Sequence, residues 1–275
     1  VNSVDGAISR VRRDITLGTA LRMLMLGAAG ASIVLGPFIG GFFNGTFFLI
    51  LIAAVWLFLS YRSVKGSRLA ADSPALIASG RYDEAEEQIQ SALKSFSLFK
   101  TVKILSLHHL AVLRHAQKRW DDSAALCRAI LGERLGAMRG LSKPSRLILA
   151  DALLEKGDVN GAYDALSGLY SERLNLGEAL NLMLVQQDYL ASVGAWEQMF
   201  AGIETKVQLA ELLPTNQAAK AQAFLALAAK KIGRIDWAEW LKTRVELLID
   251  VQQLTTERPI LWELWEKNSV NRTED

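Results

Sequence analysis

The hydrophobic pattern of this chain changes character near residue 61. Before that point the apolar positions run continuously. Met23 to Phe43 contains no charged residue, nor does Phe47 to Tyr61, and only Asn44, Gly45 and Thr46 separate the two runs. A bilayer core needs about 20 apolar residues per helical span. The first run meets this. The second does so by borrowing Phe42 and Phe43, or by tilting and thinning the bilayer slightly. Asn-Gly is a strong turn signal, so the pattern predicts a transmembrane helical hairpin over residues 23–61. Arg10, Arg12, Arg13 and Arg22 precede the first run, and Arg62, Lys65 and Arg68 follow the second. Cationic loops stay on the cytoplasmic side. Both termini, and everything after Lys65, are therefore expected in the cytoplasm, with only the Asn44-Gly45-Thr46 tip across the membrane. That triplet also fits a glycosylation sequon, but so close to the membrane it reads as a plain turn. A signal peptide is the rival for the first run; the second run, following at once, argues against it.

Small residues recur in the first run. Gly27 and Ala31 are four apart, as are Gly36 and Gly40. This spacing lets helix backbones approach closely, either within the hairpin or against another membrane subunit. Pro37 is expected to kink the first helix.

After residue 68 the apolar positions follow a three- and four-residue spacing, which marks amphipathic helices. Five similar turns punctuate them: Gly80-Arg81-Tyr82-Asp83-Glu84-Ala85, Lys118-Arg119-Trp120-Asp121-Asp122-Ser123, Gly157-Asp158-Val159-Asn160-Gly161-Ala162, Gly194-Ala195-Trp196-Glu197-Gln198-Met199 and Gly233-Arg234-Ile235-Asp236-Trp237-Ala238. Their starts lie 38, 39, 37 and 39 residues apart, and a period in this range marks a helical solenoid. First helices are read at 105–117, 146–156, 179–193 and 218–232. Second helices are read at 83–96, 121–131, 161–170, 196–212 and 236–251. Pro74 shortens the first helix of the first unit. Each pair has a face it cannot bury alone, so pairs must stack.

The blocks resemble the tetratricopeptide repeat family. Ala111, Ala150 and Ala226 match its small residue within the first helix, and Ala85, Ala162 and Ala238 match its alanine early in the second. The fourth unit carries Gln187 and Met199 there instead, and the period exceeds the family's usual length of about 34 residues. The resemblance implies an α-solenoid that binds a peptide or helix along its first helices. The family's ligand-facing positions fall on His108, Val112 and His115, then Leu147, Asp151 and Glu155, then Asn181, Leu184 and Asp188, and last Lys220, Lys230 and Lys231. The groove so implied runs from histidine-rich through acidic to basic. An anchor followed by repeats is similar to bacterial inner-membrane tetratricopeptide proteins, which implies that location.

The fold class is therefore all-α. It comprises a basic segment (1–22), a transmembrane hairpin (23–61), a basic juxtamembrane linker (62–68), a solenoid of about five helix pairs (69–254) and a capping helix with a polar tail (255–275). In the last part Ile260 to Lys267 reads as a short apolar helix, either a cap or a docking peptide.

Composition narrows the function. Net charge is +2, divided as +5 in residues 1–68 and −3 beyond them. The large domain is thus nearly neutral, which argues against a nucleic-acid partner. Cys127 is the lone cysteine, excludes an intramolecular disulfide, and reads as a small core residue. The histidines are His108, His109 and His115. His108 and His115 lie about 10 Å apart along one helix, too far to share a metal ion. No phosphate loop, nucleophile elbow or zinc-protease motif occurs. The basic stretch around Lys94, Lys100 and Lys103 could meet anionic lipid headgroups. The expectation is a non-enzymatic scaffold without cofactor or small-molecule substrate, recruiting protein partners to a membrane. The alternative is an accessory subunit of a larger membrane complex, held through its hairpin.

Overall fold

A computed structural model describes residues 3–35, 45–68 and 70–266. The predicted tip residue Asn44, the glycines Gly36 and Gly40, Pro37 and the tail from residue 267 lie outside them. The described residues contain helices and no strand. The chain divides into two compact units, residues 1–152 and 153–275.

The first unit begins with α1 (Val4–Leu35) and α2 (Gly45–Arg68), which pack on each other. Both are long and apolar enough to cross a membrane. At 1.5 Å per residue, the 32 residues of α1 reach about 48 Å, well beyond the roughly 30 Å hydrocarbon core. The surplus has its own task. Ala7, Val11, Asp14 and Gly18 are buried, one above another at helical spacing. They face α4 (Tyr82–Lys94), α5 (Lys100–Ala116) and α6 (Trp120–Leu131). The segments read as a basic lead-in and a linker are therefore helical continuations of the apolar runs. The remainder of this unit comprises α3 (Ser73–Ala78), a 3-10 turn at Gly136–Leu141 and most of α7 (Ser142–Glu155). Pro74 sits in the first turn of α3, where its missing N–H costs nothing, and the helix is only six residues long.

In the second unit α8 (Val159–Tyr170) is followed by α9 (Leu176–Ser192), α10 (Trp196–Phe200), α11 (Ile203–Ala210), α12 (Thr215–Lys231) and α13 (Ile235–Leu248). Then come α14 (Val251–Glu257) and a 3-10 turn at Pro259–Leu264. Its core gathers Met199, Phe224, Leu227, Leu241 and Val245 with Leu254, Leu261 and Leu264 from the C-terminal segment.

All five turns close alike. Gly80, Lys118, Gly157, Gly194 and Gly233 take positive φ, at 77°, 58°, 77°, 68° and 79°. The next amide reaches back five residues each time: Arg81 to Leu76 O, Arg119 to Arg114 O, Asp158 to Leu153 O, Ala195 to Leu190 O and Arg234 to Ala229 O, all at 2.8–2.9 Å. This is the left-handed helix stop of the Schellman type, and it lets the next helix fold back on the first. The small positions pack as the repeat requires. Ala85, Ala111, Ala150, Ala162 and Ala226 have no exposed surface, and Ala238 has almost none.

Two expected helices differ. The run 196–212 is broken into α10 and α11 by Gly202, which takes φ 68°. Met199 fills the slot that Ala85, Ala162 and Ala238 take in three of the other turns, and Lys206 donates to the carbonyls of Gln198 and Met199 at 3.1 and 2.7 Å, capping the short helix. At the other site α13 stops at Leu248, Ile249 is extended, and the Asp250 side chain caps α14 through the Gln252 amide.

Candidate functional site

The inner-face residues inferred from the repeat register are mostly engaged within the protein. In the first unit the three histidines of α5 each reach a neighbouring repeat. His109 Nδ1 lies 3.0 Å from Ser73 Oγ, His108 Nδ1 3.1 Å from Ser145 Oγ, and His115 Nε2 2.7 Å from an Asp151 carboxylate oxygen. The separations in sequence are 36, 37 and 36 residues, one repeat in each case. His108 is buried, and burial, helped by His109, pushes its pKa down to about 4. Burial also lowers that of His109. Both Ser–His pairs hold a serine with no exposed surface, so no substrate reaches either hydroxyl. They are staples between helices. Val112 is half-buried and Leu147 is buried. Cys127 is fully buried, and burial pushes its thiol up to about 12, which leaves it without thiolate character at neutral pH.

In the second unit the charged positions converge on the chain's own C-terminal segment. Arg258 Nε donates to Asp188 Oδ1 at 3.0 Å, and its Nη1 donates to Glu155. Lys220 pairs with the other oxygen of Asp188. Lys230 Nζ donates to the main-chain carbonyls of Glu263 and Glu266 at 2.6 and 2.8 Å, and Lys231 meets the Glu263 carboxylate. Trp265 Nε1 donates to Glu246 at 2.8 Å. Of the remaining positions, Leu184 packs beside Leu180 and Met183, and Asn181 is exposed. Glu155, Asp188, Lys220, Lys230 and Lys231 thus form internal pairs rather than an open charge gradient. A cleft of about 220 Å³ remains beside Arg258, lined by Glu155, Asp188, Ala191, Phe224, Pro259 and Ile260 among others.

The junction between α1, α2 and the repeats is a site that the sequence did not announce. Lys103 is fully buried on α5. Its Nζ lies 2.7 Å from the Asp14 carboxylate of α1 and 2.8 Å from Leu93 O at the end of α4. Burial depresses its pKa, against the pull of Asp14. Nearby, Ser63 Oγ of α2 accepts from the Leu98 amide at 2.9 Å. A Cβ at Gly18 of α1 would stand 3.2 Å from Leu98 O. One loop is therefore wedged between the two long helices. The sequence signal lies in the spacing of Ala7, Val11, Asp14 and Gly18, interleaved with Arg10, Arg12 and Arg13.

Gly27 and Ala31 are exposed, with nothing within 4 Å of a Gly27 Cβ. Among the described residues no group of three or more His, Cys, Asp or Glu side chains is placed to hold a metal ion. No protein-family model, curated protein or solved structure matches the chain.

Proposed function

We propose that this chain is a membrane-anchored, tetratricopeptide-like scaffold that recruits protein partners to the cytoplasmic face of a bacterial inner membrane. The observation that supports it is the junction. The surplus half of α1 is packed into the repeats through Ala7, Val11 and the Asp14–Lys103 pair. Two lipid-compatible helices thereby become a stiff mount for the first repeats. A mount of this kind holds a binding surface at a set stance to a bilayer and raises the effective concentration of whatever it captures. Arg22 fits a bilayer boundary at this point of α1. Its Nε donates back to Gly18 O at 3.3 Å, so the guanidinium snorkels from the apolar half of α1 toward its N-terminal half.

A second reading, an accessory subunit held through the hairpin, is favoured by the exposure of Gly27 and Ala31, since small residues open to lipid suit a neighbouring helix. Deleting the anchor does not separate the two readings, because it would uncover the surface on which Ala7 and Val11 pack. Reversing Asp151, Glu155 and Asp188 is no better, since it would strand His115, Arg258 and Lys220. The test is mild-detergent purification of full-length chain from its native membrane, followed by mass spectrometry. Wild type is compared with the Gly27→Leu, Ala31→Leu double variant. Partners retained by the variant support the scaffold. Partners lost with it assign the chain to a membrane complex.

A further inference from the structure

We propose that the inner face formed by Glu155, Asp188, Lys220 and Lys230 is a peptide site, now filled in cis by residues 258–266. Its trans ligand is a partner segment with an arginine followed by one apolar helical turn. This rests on the recruitment reading and names the ligand chemistry.

Four observations carry it. First, the Arg258 end of the site presents two carboxylates, Glu155 and Asp188, against one lysine, Lys220, which meets Asp188, so without Arg258 that end keeps an excess negative charge in a half-buried setting. It requires a cation, and the planar guanidinium suits two carboxylates better than an ammonium does. Second, Lys230 reads main-chain carbonyls at the end of the Pro259–Leu264 turn. Any segment ending in a helical turn offers the same acceptors. Third, Arg258, at φ −135° and ψ 87°, breaks the helix between α14 and the segment. Its 3-10 turn is the weaker helix form. Fourth, the fit is incomplete. An open cleft of about 220 Å³ remains beside Arg258, Pro259 and Ile260. A bulkier occupant has room there. Leu261 and Leu264, both buried, show which side chains the apolar part accepts.

The probe is a fluorescein-labelled peptide with the sequence of residues 255–266, titrated against full-length protein in detergent. Wild type is expected to bind it weakly. Arg258→Ala, which loosens the resident segment, is expected to bind at least tenfold more tightly. Adding Glu155→Gln to Arg258→Ala is expected to abolish that gain. Equal binding by wild type and Arg258→Ala overturns the proposal, as does a gain insensitive to Glu155→Gln. A concentration-dependent dimer of Arg258→Ala also overturns it, in favour of exchange between copies. Should Arg258→Ala not fold, amide exchange of the wild type decides. Residues 260–264 exchanging at least tenfold faster than the α12 core supports a detachable segment, and equal protection refutes it. Native partners captured without peptide binding leave recruitment standing and remove this site. Peptide binding without native partners does the reverse.

Discussion

Lys118 shows how much of this architecture rests on single backbone angles. It is the one non-glycine residue with positive φ among the described residues, at a position where the four equivalent turns use glycine. A side chain there costs roughly 1 kcal/mol, because Cβ crowds the following carbonyl. Lys118→Gly should therefore raise stability by about 0.5–1 kcal/mol despite glycine's greater freedom in the unfolded chain. The measurement is the urea midpoint of the full-length protein in detergent. Gln187 is a second local conflict. It occupies an alanine slot, is 2% exposed, and neither amide atom has a partner among the described residues. A buried unsatisfied amide costs about 1–3 kcal/mol, and a volume-conserving apolar replacement removes that cost. Gln187→Met is expected to stabilise the second unit by about 1 kcal/mol, read as a higher urea midpoint. An unchanged or lowered midpoint would mean that the amide is satisfied in solution.

At the scale of elements, α1 is both the first apolar helix and a wall of the first unit. The buried Asp14–Lys103 pair joins those tasks. Desolvation outweighs the attraction at Lys103, so the pair is a poor source of net stability. Breaking one side is different, because it strands a charge in the interior. Asp14→Ala should cost about 3–5 kcal/mol, seen as a clear drop in the melting temperature of the first unit. The double variant Asp14→Leu, Lys103→Met should recover most of it. If the double variant melts as low as the single, the pair is more than a fastener. The loop wedged by Gly18 and Ser63 makes a related demand. Gly18 stands against backbone atoms of Ser97 and Leu98, so a larger residue there must push α1 off the loop.

Across the whole molecule, the two units should respond differently to acid. His108 is held neutral, with its pKa near 4 against about 6.5 when unfolded. The unfolded chain therefore binds the extra proton first as pH falls. Stability is intact above about 6.5 and declines down to about 4. At about 1.4 kcal/mol per pH unit, this one group removes about 3 kcal/mol. His109, also lowered by burial, acts in the same direction. Glu86, held below its usual range by Arg114, extends the loss below about pH 4.5. These groups all belong to the first unit, so its melting transition should fall between pH 6.5 and 4.5 ahead of that of the second. His108→Gln should flatten the slope. Differential scanning calorimetry at several pH values checks both statements.

What the sequence determined by itself is what local patterns encode. The apolar runs, the five turns, the small positions and the all-helical class are written within spans of a few residues, where glycine φ and helical spacing act directly. The resemblance to tetratricopeptide repeats rests on the same signals, which explains why it locates helices better than it assigns open faces. Tertiary structure alone decided the partners of the charged and polar side chains. His109 meets Ser73, Asp14 meets Lys103, and Arg258 meets Asp188 across 70 residues. A charge on an amphipathic helix has the same appearance whether it faces water or another segment of the chain. Only when distant helices are brought together does the cost of leaving it unpaired in the interior select its partner. For the same physical reason, the basic lead-in proved to be a packed helix, and Glu155, Asp188, Lys230 and Lys231 proved to meet residues of the chain's own C-terminal segment.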